Sequence, residues 1–275
     1  MSDTLVINEI YLSLQGESTF AGLPCIFIRL TACNLRCSYC DTAYAFTEGK
    51  KQSLEDIRAE VNRLAEPFHP QIPIGNDISR TASTSHSLPR QSQATAGALR
   101  TPHPPAGLPL VELTGGEPLL QPNVLPLMKA LCDDDFTVLL ETSGALDVAP
   151  VDPRVRRIMD LKCPSSGEAA RNRWENLPHL KKTDEIKFVI GTHQDYEWAR
   201  EKILEHRLAA TCPLLFSWVN PLAPEQQDKS LKKVPPDQTP ISRQELAERI
   251  IADALPVRFQ IQMHKVIWPP AQRGV

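Results

Sequence analysis

The stretch PCIFIRLTACNLRCSYC, residues 24–40, is a short apolar segment that runs directly into a loop with three cysteines. Its first part, 24–30, is rich in β-branched and aromatic residues, a composition typical of a buried strand. The loop that follows places Cys33, Cys37 and Cys40 with three and then two residues between them. Thiolates at these spacings can surround one compact metal centre, which would lie just beyond the end of the strand.

Segments with the same strand pattern recur along the chain and alternate with segments of helical periodicity. Further strands are predicted at 110–114, 136–140, 156–161, 185–190, 214–219 and 257–261. Helices are predicted after Ser53, around 124–131, after Thr192 and after Ser242. Strands that alternate with helices indicate right-handed βαβ units and a mostly parallel sheet. We therefore expect an α/β fold, a single domain over 1–275 built as a partial (β/α) TIM-like barrel.

Polar or glycine-rich clusters follow the carboxyl ends of several predicted strands. Besides the cysteine loop they are TGGEP at 114–118, ETSG at 141–144, DLKCP at 160–164, and His264 with Lys265. In a (β/α) barrel all of these ends share one face, which carries the chemistry. The sequence therefore predicts a single site at that face.

The segment 67–109 differs in composition from the rest of the chain. It contains eight prolines, many Ser, Thr, Ala and Gln residues, and Asp77 as its only acidic residue. Such a segment buries too little apolar surface to offset its conformational entropy. We predict a flexible, disordered Pro/Ser-rich insertion between two ordered parts of the domain.

Composition and charge exclude several classes of protein. The formal net charge of −3 gives no reason to expect nucleic acid as a partner. No apolar run of about 18 residues is present, and the polar, acidic N-terminus does not resemble a signal peptide. Three of the seven cysteines lie within eight residues, as expected for metal ligands in a reducing compartment. We expect a cytoplasmic protein without membrane or nucleic-acid partners.

The number of clustered cysteines limits which metal centre they can hold. Structural zinc and ordinary electron-transfer clusters take four ligands, whereas three ligands leave one position open, as in catalytic centres. Cys25 is a conceivable fourth ligand, but within a buried strand a cysteine is more often a small apolar residue. The residues favour an open cluster and leave structural zinc and unligated thiols as alternatives.

Two motifs together resemble the radical S-adenosylmethionine (SAM) superfamily. The first is C-x3-C-x-aromatic-C, in which Tyr39 is the aromatic residue, and the second is TGGEP at 114–118. The resemblance implies a partial barrel of the radical SAM type. It also implies a [4Fe–4S] cluster on the three cysteines, which would be catalytic, and SAM bound at the open iron.

Further motifs narrow the resemblance to the 7-carboxy-7-deazaguanine synthase family. They are SLQGE at 13–17, FIRL at 27–30, CDT at 40–42 and TGGEPLLQ at 114–121. The resemblance implies a lyase that contracts the ring of 6-carboxy-5,6,7,8-tetrahydropterin to 7-carboxy-7-deazaguanine with loss of ammonia, on the route to queuosine and other 7-deazapurines. It also implies a homodimer and an electron donor such as flavodoxin or ferredoxin.

The same resemblance implies roles for individual residues. Substrate would be bound by Leu14, Gln15, Gly16, Glu17, Arg29, Thr114 and Pro270. SAM would be bound by Tyr39, Cys40, Asp41, Gly116, Asp160, Leu161, Lys162, Ser217, Trp218, Val219 and Asn220. Thr42 would bind Mg²⁺, which prefers oxygen ligands. Chemistry supports Arg29 independently, since an arginine that ends an apolar strand needs an anionic partner, which a substrate carboxylate or a structural salt bridge would supply.

Two other functions share part of this pattern. A radical SAM activase that generates a glycyl radical on a partner protein would have the cysteines and TGGEP, but would not need SLQGE or Arg29. A non-enzymatic zinc-binding module would need only the cysteines. The motifs outside the cysteine loop favour the ring-contraction enzyme over both.

Overall fold

The computed structural model of the chain describes residues 3–68, 108–222, 224–269 and 271–275. Its strands are β1 (Thr4–Leu14), β2 (Pro24–Leu30), β3 (Lys50–Ser53), β4 (Leu110–Gly115), β5 (Val138–Thr142), β6 (Arg156–Leu161), β7 (Glu185–Ile190), β8 (Leu214–Trp218) and β9 (Arg258–Gln260). Its α-helices are α1 (Leu54–Ala65), α2 (Val124–Asp133), α3 (His193–Glu205), α4 (Arg243–Ala252) and α5 (His264–Ile267). The predicted disordered insertion at 67–109 lies almost entirely outside the described residues.

Within the described ranges, the strands form one nine-stranded sheet in the order β3-β1-β2-β4-β5-β6-β7-β8-β9. From β2 onward every neighbouring pair is parallel, whereas β1 pairs antiparallel with both β2 and β3. The α/β class and the mostly parallel sheet are therefore confirmed. The prediction missed β1 and β3. The fifth strand begins two residues later than the predicted 136–140.

Side chains along each parallel strand point alternately to the outside and to the interior of the curled sheet. Those on the outside form two apolar layers. On β2, Ile26, Ile28 and Leu30 face outward and pack in the cluster that includes residues of α1 and α2. On β7 and β8, Phe188 and Phe216 face α3 and α4 in a second cluster. Side chains of a strand point alternately to its two faces, so the intervening residues point to the interior.

The deeper part of the interior is apolar and the part above it is polar. Five buried residues form the apolar layer: Cys25, Phe27, Leu110, Leu139 and Ile158. Inward positions further along the strands carry charged residues: Arg29 on β2, Glu112 on β4, Glu141 on β5, Asp160 on β6 and Lys187 on β7. A polar layer at the carboxyl ends of parallel strands is the arrangement in which barrel enzymes build their sites.

The sheet must curl strongly, since residues on strands that are far apart in the strand order are in contact. Glu17 follows β1, and Lys187 lies on β7, five steps away in the sheet. A flat sheet would separate these strands by about 24 Å. The Lys187 Nζ nevertheless lies 2.9 Å from Glu17 Oε2, and the Ser18 amide donates to Gln260 Oε1 of β9 at 3.0 Å. The order still ends at β3 and β9, so the curled sheet is an open, partial barrel.

Three predicted helix starts are confirmed by their caps. Ser53 Oγ accepts a hydrogen bond from the Asp56 amide at the start of α1. Thr192 with Asp195, and Ser242 with Glu245, form reciprocal capping boxes at the starts of α3 and α4. No helix in the described part of the chain is long and apolar enough to span a membrane.

Candidate active site

A cavity of about 220 Å³ opens at the carboxyl ends of the parallel strands. Most of the residues predicted to bind substrate, SAM or metal line it: Leu14, Gln15, Gly16, Glu17, Arg29, Cys33, Cys37, Tyr39, Cys40, Asp41, Thr42, Thr114, Gly116, Asp160, Lys162, Ser217, Trp218, Val219 and Asn220. A second cavity of about 370 Å³ adjoins it and shares Arg29, Asp41 and Thr42. Residues from six regions of the sequence thus meet in one place.

Two predicted residues are not placed in the cavity. Leu161 is fully buried in the outer apolar cluster, because side chains alternate along β6 and only its neighbours Asp160 and Lys162 reach the cavity wall. The Leu161 side chain therefore does not line the cavity, and a contact between residue 161 and SAM stays a prediction. Pro270 lies outside the described residues.

The cysteine loop is held in place by the segment that follows β6. The Ser38 amide donates to Ser166 O at 3.0 Å, and Ser38 Oγ donates to Ser165 O at 2.7 Å. The Arg36 amide donates to Glu168 Oε1 at 2.7 Å. These bonds fix the loop between the strand that precedes it and the far side of the cavity.

All three loop cysteines carry free thiols that line the cavity. Burial raises the pKa of Cys37 to about 12 and also raises the pKa of Cys33 and Cys40. In the described part of the chain no three His, Cys, Asp or Glu side chains already converge as a metal site. Metal ligation therefore has to displace the thiol protons.

Cys25 is separated from the loop cysteines. It is fully buried in the apolar layer with Phe27 and Leu110, and it does not line the cavity. Its thiol donates to the backbone oxygen of Ile26 at 3.8 Å. The alternative in which Cys25 serves as a fourth ligand is therefore excluded by its position, which leaves three sulfurs at the site.

The TGGEP loop docks against the cysteine loop through its backbone. The Glu117 amide donates to Ala32 O at 2.8 Å. A Cβ on Gly116 would lie 1.9 Å from the same Ala32 oxygen, so only glycine fits there. The missing side chain at Gly116 thus makes room for the cysteine loop, and the binding of SAM at this residue stays a prediction.

Glu117 connects the ends of β4 and β5. Its carboxylate is fully buried and accepts bonds from Thr142 Oγ1 at 2.9 Å, from the Ser143 amide at 2.8 Å and from Ser143 Oγ at 2.6 Å. A buried carboxylate that accepts several hydrogen bonds does not need a cationic partner. Glu117 therefore holds Ser143 at the cavity wall, a role that the sequence motif did not reveal.

Two polar atoms in the cavity wall have no partner within the described residues. They are the Tyr39 hydroxyl and Asp160 Oδ1, both buried from solvent. The other Asp160 oxygen pairs with Lys162 Nζ at 2.8 Å. Buried polar groups are nearly always satisfied. A ligand with amine, carboxylate and hydroxyl groups, such as SAM, would supply the missing partners, so the residues fit that cofactor.

Lys187 is a buried lysine that was not predicted from the sequence. It lies among the acidic side chains of the interior. Lys187 Nζ lies 2.9 Å from Glu17 Oε2, contacts Glu141 and lies 3.9 Å from Asp160 Oδ2. Burial alone would raise the pKa of Glu141, but Lys187 lowers it to about 2. Glu17 also accepts from Ser217 Oγ at 3.0 Å, and Glu141 accepts from Thr114 Oγ1 at 3.0 Å.

Arg29 is oriented by residues of β1. Its Nε donates to Glu9 Oε1 at 2.8 Å, and its Nη2 donates to the Tyr11 hydroxyl at 2.8 Å. The hydroxyl of Tyr44 donates to the same Glu9 oxygen at 3.0 Å. The guanidinium lines both cavities with donor capacity left over. The predicted anionic partner thus exists within the protein, and the side chain still faces the site.

Residues 262–265 lie against the loop after β1 and form part of the cavity wall. The Met263 amide donates to Gly16 O at 3.0 Å, and a Cβ on Gly16 would lie 2.3 Å from His264 Nδ1. Lys265 Nζ pairs with Asp41, which directly follows the cysteine loop. His264 and Lys265, which form one of the polar clusters predicted at the strand ends, thus contact two loops of the site.

Curated relatives of the chain share one name, 7-carboxy-7-deazaguanine synthase. No protein-family model matches the chain. It is 42% identical to 7-carboxy-7-deazaguanine synthase from Koribacter versatilis, over 98% of this chain and 99% of the relative. It is 35% identical to the synthase from Chlorobaculum tepidum, over 98% and 97%. The crystal structure of QueE from Escherichia coli has the same fold, with a TM-score of 0.58, 22% identity and 95% of each chain covered.

Proposed function

Because the chain belongs to the 7-carboxy-7-deazaguanine synthase family of radical SAM enzymes, we propose that the cavity at the carboxyl ends of its strands is the site of ring contraction. The reaction converts 6-carboxy-5,6,7,8-tetrahydropterin to 7-carboxy-7-deazaguanine and releases ammonia, a step of queuosine biosynthesis. The observation that supports this location best is the meeting of the SLQGE, cysteine and TGGEP loops around one cavity.

Cys33, Cys37 and Cys40 would hold the [4Fe–4S] cluster, with SAM beside them. When bound, the cluster and SAM supply the 5′-deoxyadenosyl radical that abstracts a hydrogen atom from C6 of the substrate. The partnerless Tyr39 hydroxyl and Asp160 Oδ1 give SAM two polar contacts. Lys162, Ser143 and the strand end at 217–220 complete the proposed SAM wall.

The pterin would lie between the loop after β1 and the end of β4. Arg29 would bind the substrate carboxylate with its free donors, while Glu9 and Tyr11 hold the guanidinium in position. Gln15, Glu17 and Thr114 would contact the ring system. Thr42, whose Oγ1 lies 3.7 Å from Cys40 Sγ, would supply the hydroxyl ligand of Mg²⁺.

Three further parts of the proposal concern the surroundings of the enzyme. A cluster that starts each reaction by reduction needs an electron donor, for which a flavodoxin or ferredoxin is suitable. Free cysteines throughout the described chain fit a reducing, cytoplasmic compartment. We also propose a homodimer on the basis of the family. Cross-linking and analytical ultracentrifugation of the reconstituted enzyme test the last point.

The product assay is the first test of the proposed function. Anaerobically reconstituted enzyme with the carboxytetrahydropterin, SAM, Mg²⁺ and a chemical reductant is expected to form 7-carboxy-7-deazaguanine, detected by chromatography and mass spectrometry. SAM cleavage without any deazapurine would instead favour an activase. A tightly bound zinc ion with no iron or sulfide would favour the zinc-binding module.

Arg29 provides a prediction on substrate binding. Arg29→Ala is expected to raise the KM for the carboxytetrahydropterin by roughly 10- to 100-fold, since it removes a charge-assisted contact. Arg29→Lys should recover part of this effect, because a lysine keeps the charge without the planar fork. Steady-state kinetics under anaerobic conditions measure both variants.

Arg157 offers a matched control for this measurement. It is also a buried arginine with an acidic partner, Asp184, but it points away from the cavity. Arg157→Ala should lower stability without raising the KM. An equal KM increase in both alanine variants would mean that Arg29 acts only through stability.

A further inference from the structure

Glu112 is a buried acid whose role is not explained by the contacts above. It lies on β4 between two outward-facing residues, so its side chain points to the interior, one level below Thr114. It is 2% exposed, yet its side chain forms part of the cavity wall. Its direct side-chain partner is the amide of Gln15, whose Nε2 donates to Glu112 Oε2.

The charges around Glu112 distinguish it from the other acids of the interior. Lys187 forms ion pairs with Glu17, Glu141 and Asp160, whereas no ion pair joins Glu112 to any residue in the described ranges. Burial, and then the negative charge of Glu141, raise the pKa of Glu112 well above its ordinary value. Both causes favour the protonated carboxyl group, which has one hydroxyl donor and one carbonyl acceptor.

Gln15 has its orientation fixed by two bonds. Its Nε2 donates to Glu112, and its Oε1 accepts a bond from the Glu17 amide at 2.7 Å. These bonds leave the second Nε2 hydrogen of Gln15 and the free side of the Glu112 carboxyl as polar groups at the floor of the cavity. Together they form a carboxyl–carboxamide pair with both donors and acceptors.

We propose that Glu112 is a specificity-determining residue that recognises the lactam edge of the substrate ring from the floor of the cavity. This inference rests on the proposed function and deepens it. A lactam presents an N–H donor beside a C=O acceptor. A carboxylic acid is complementary to this pair, because its carbonyl accepts from the N–H while its hydroxyl donates to the C=O. A group built to pair with such an edge rejects ligands that lack it.

The test measures binding in the absence of turnover. Reconstituted enzyme with SAM and Mg²⁺ but no reductant is titrated by anaerobic calorimetry with 7-carboxy-7-deazaguanine, which keeps the lactam edge. The second ligand is its derivative methylated at the lactam nitrogen. Wild-type enzyme should prefer the unmethylated ligand by roughly 10- to 100-fold.

Two substitutions separate recognition from packing. Glu112→Gln keeps a donor and an acceptor, so it should retain the preference and bind the unmethylated ligand within about 5-fold of wild type. Glu112→Met fills a similar volume without hydrogen bonds, so it should weaken binding of that ligand by roughly 10- to 100-fold and abolish the preference. An unchanged preference in Glu112→Met, or equal losses in both variants, would overturn the proposal.

Glu185 provides the control. It is another 2%-exposed acid on the interior face, on β7, where its carboxylate accepts from the Thr19 amide at 3.0 Å, but it does not line the cavity. Glu185→Met should destabilise the fold without changing the preference between the two ligands. If the wild-type product assay fails, the proposed function fails. If that assay succeeds and Glu112→Met keeps its preference, only the role of Glu112 is wrong.

Discussion

A Cys37→Ala variant is expected to lose SAM cleavage and deazapurine formation completely. The three thiols of the cysteine loop line one cavity, and none of the other four cysteines, all of which are buried, lines it. Two sulfurs cannot hold the three protein-ligated irons of an open [4Fe–4S] cluster. After anaerobic reconstitution, the variant should contain far less iron and sulfide than wild type. 5′-Deoxyadenosine should stay at the background level in chromatography.

Cys25→Ala is the matched control for this experiment. Cys25 lies in the apolar layer below the site, so its removal costs packing but no metal ligand. The control variant should bind the full complement of iron and cleave SAM, with only a modest loss of thermal stability. Cluster loss in Cys25→Ala, together with a normal cluster in Cys37→Ala, would contradict the assignment of the three loop cysteines.

The sequence could predict that the site residues share one face, because all strands of a parallel sheet end at the same edge. The strands 24–30, 110–114 and 156–161 have clear apolar patterns, and each is followed by a polar cluster. In a parallel sheet such clusters end at the same edge, whatever the details of the loops. The partnership of the cysteine loop with TGGEP could therefore be expected before the structure was known.

Strands at the antiparallel edge were harder to predict. β3 has the sequence KKQS, which is polar because it is an edge strand with little apolar surface to bury. β1 contains Asn8 and Glu9, which interrupt its apolar alternation. The register of β1 against β2 shifts between Ile7 and Glu9. The sequence pattern of β1 is therefore weak, and the strand is stabilised by its pairing with β2 and β3.

Interior charges were also missed, for a different reason. Glu112 in VELTG and Lys187 in EIKFVI each interrupt an apolar strand at an inward position, which was an available signal. Their partners, however, are 97 and 170 residues away in the sequence, at Gln15 and Glu17. Such pairings depend on how strongly the sheet curls, and single-strand patterns carry no information on curvature.

Lys187→Met is expected to lower the free energy of unfolding by about 3–5 kcal/mol, because it leaves buried carboxylates without their cation. Lys187 contacts Glu141 and lies 2.9 Å from Glu17, and its side chain is 5% exposed. Denaturant unfolding of the apo-protein at pH 7 measures the effect. Lys129→Met on α2, where the pair with Asp133 is exposed, should cost less than about 1 kcal/mol.

A second substitution tests whether charge is the cause. In Lys187→Met/Glu141→Gln one of the orphaned carboxylates becomes neutral, so the double variant should be more stable than Lys187→Met alone. Double-mutant analysis gives the coupling energy between the two side chains. The double variant could instead lose as much free energy of unfolding as the two single variants together. This result would show that the lysine contributes mainly through packing.

The pH dependence of the Lys187→Met defect follows from the pKa of Glu141. In the wild type this pKa is lowered from 4.5 to about 2, so the pairing stabilises the fold above pH 4.5 and is lost as the pH falls from 4.5 towards 2. Without Lys187, burial raises the pKa of the same carboxyl, so the penalty on the variant builds up as the pH rises from 4.5 and is complete above that higher value. The stability difference between the two proteins should therefore shrink between pH 7 and pH 4. A difference that stays constant across this range would contradict an electrostatic role for Lys187.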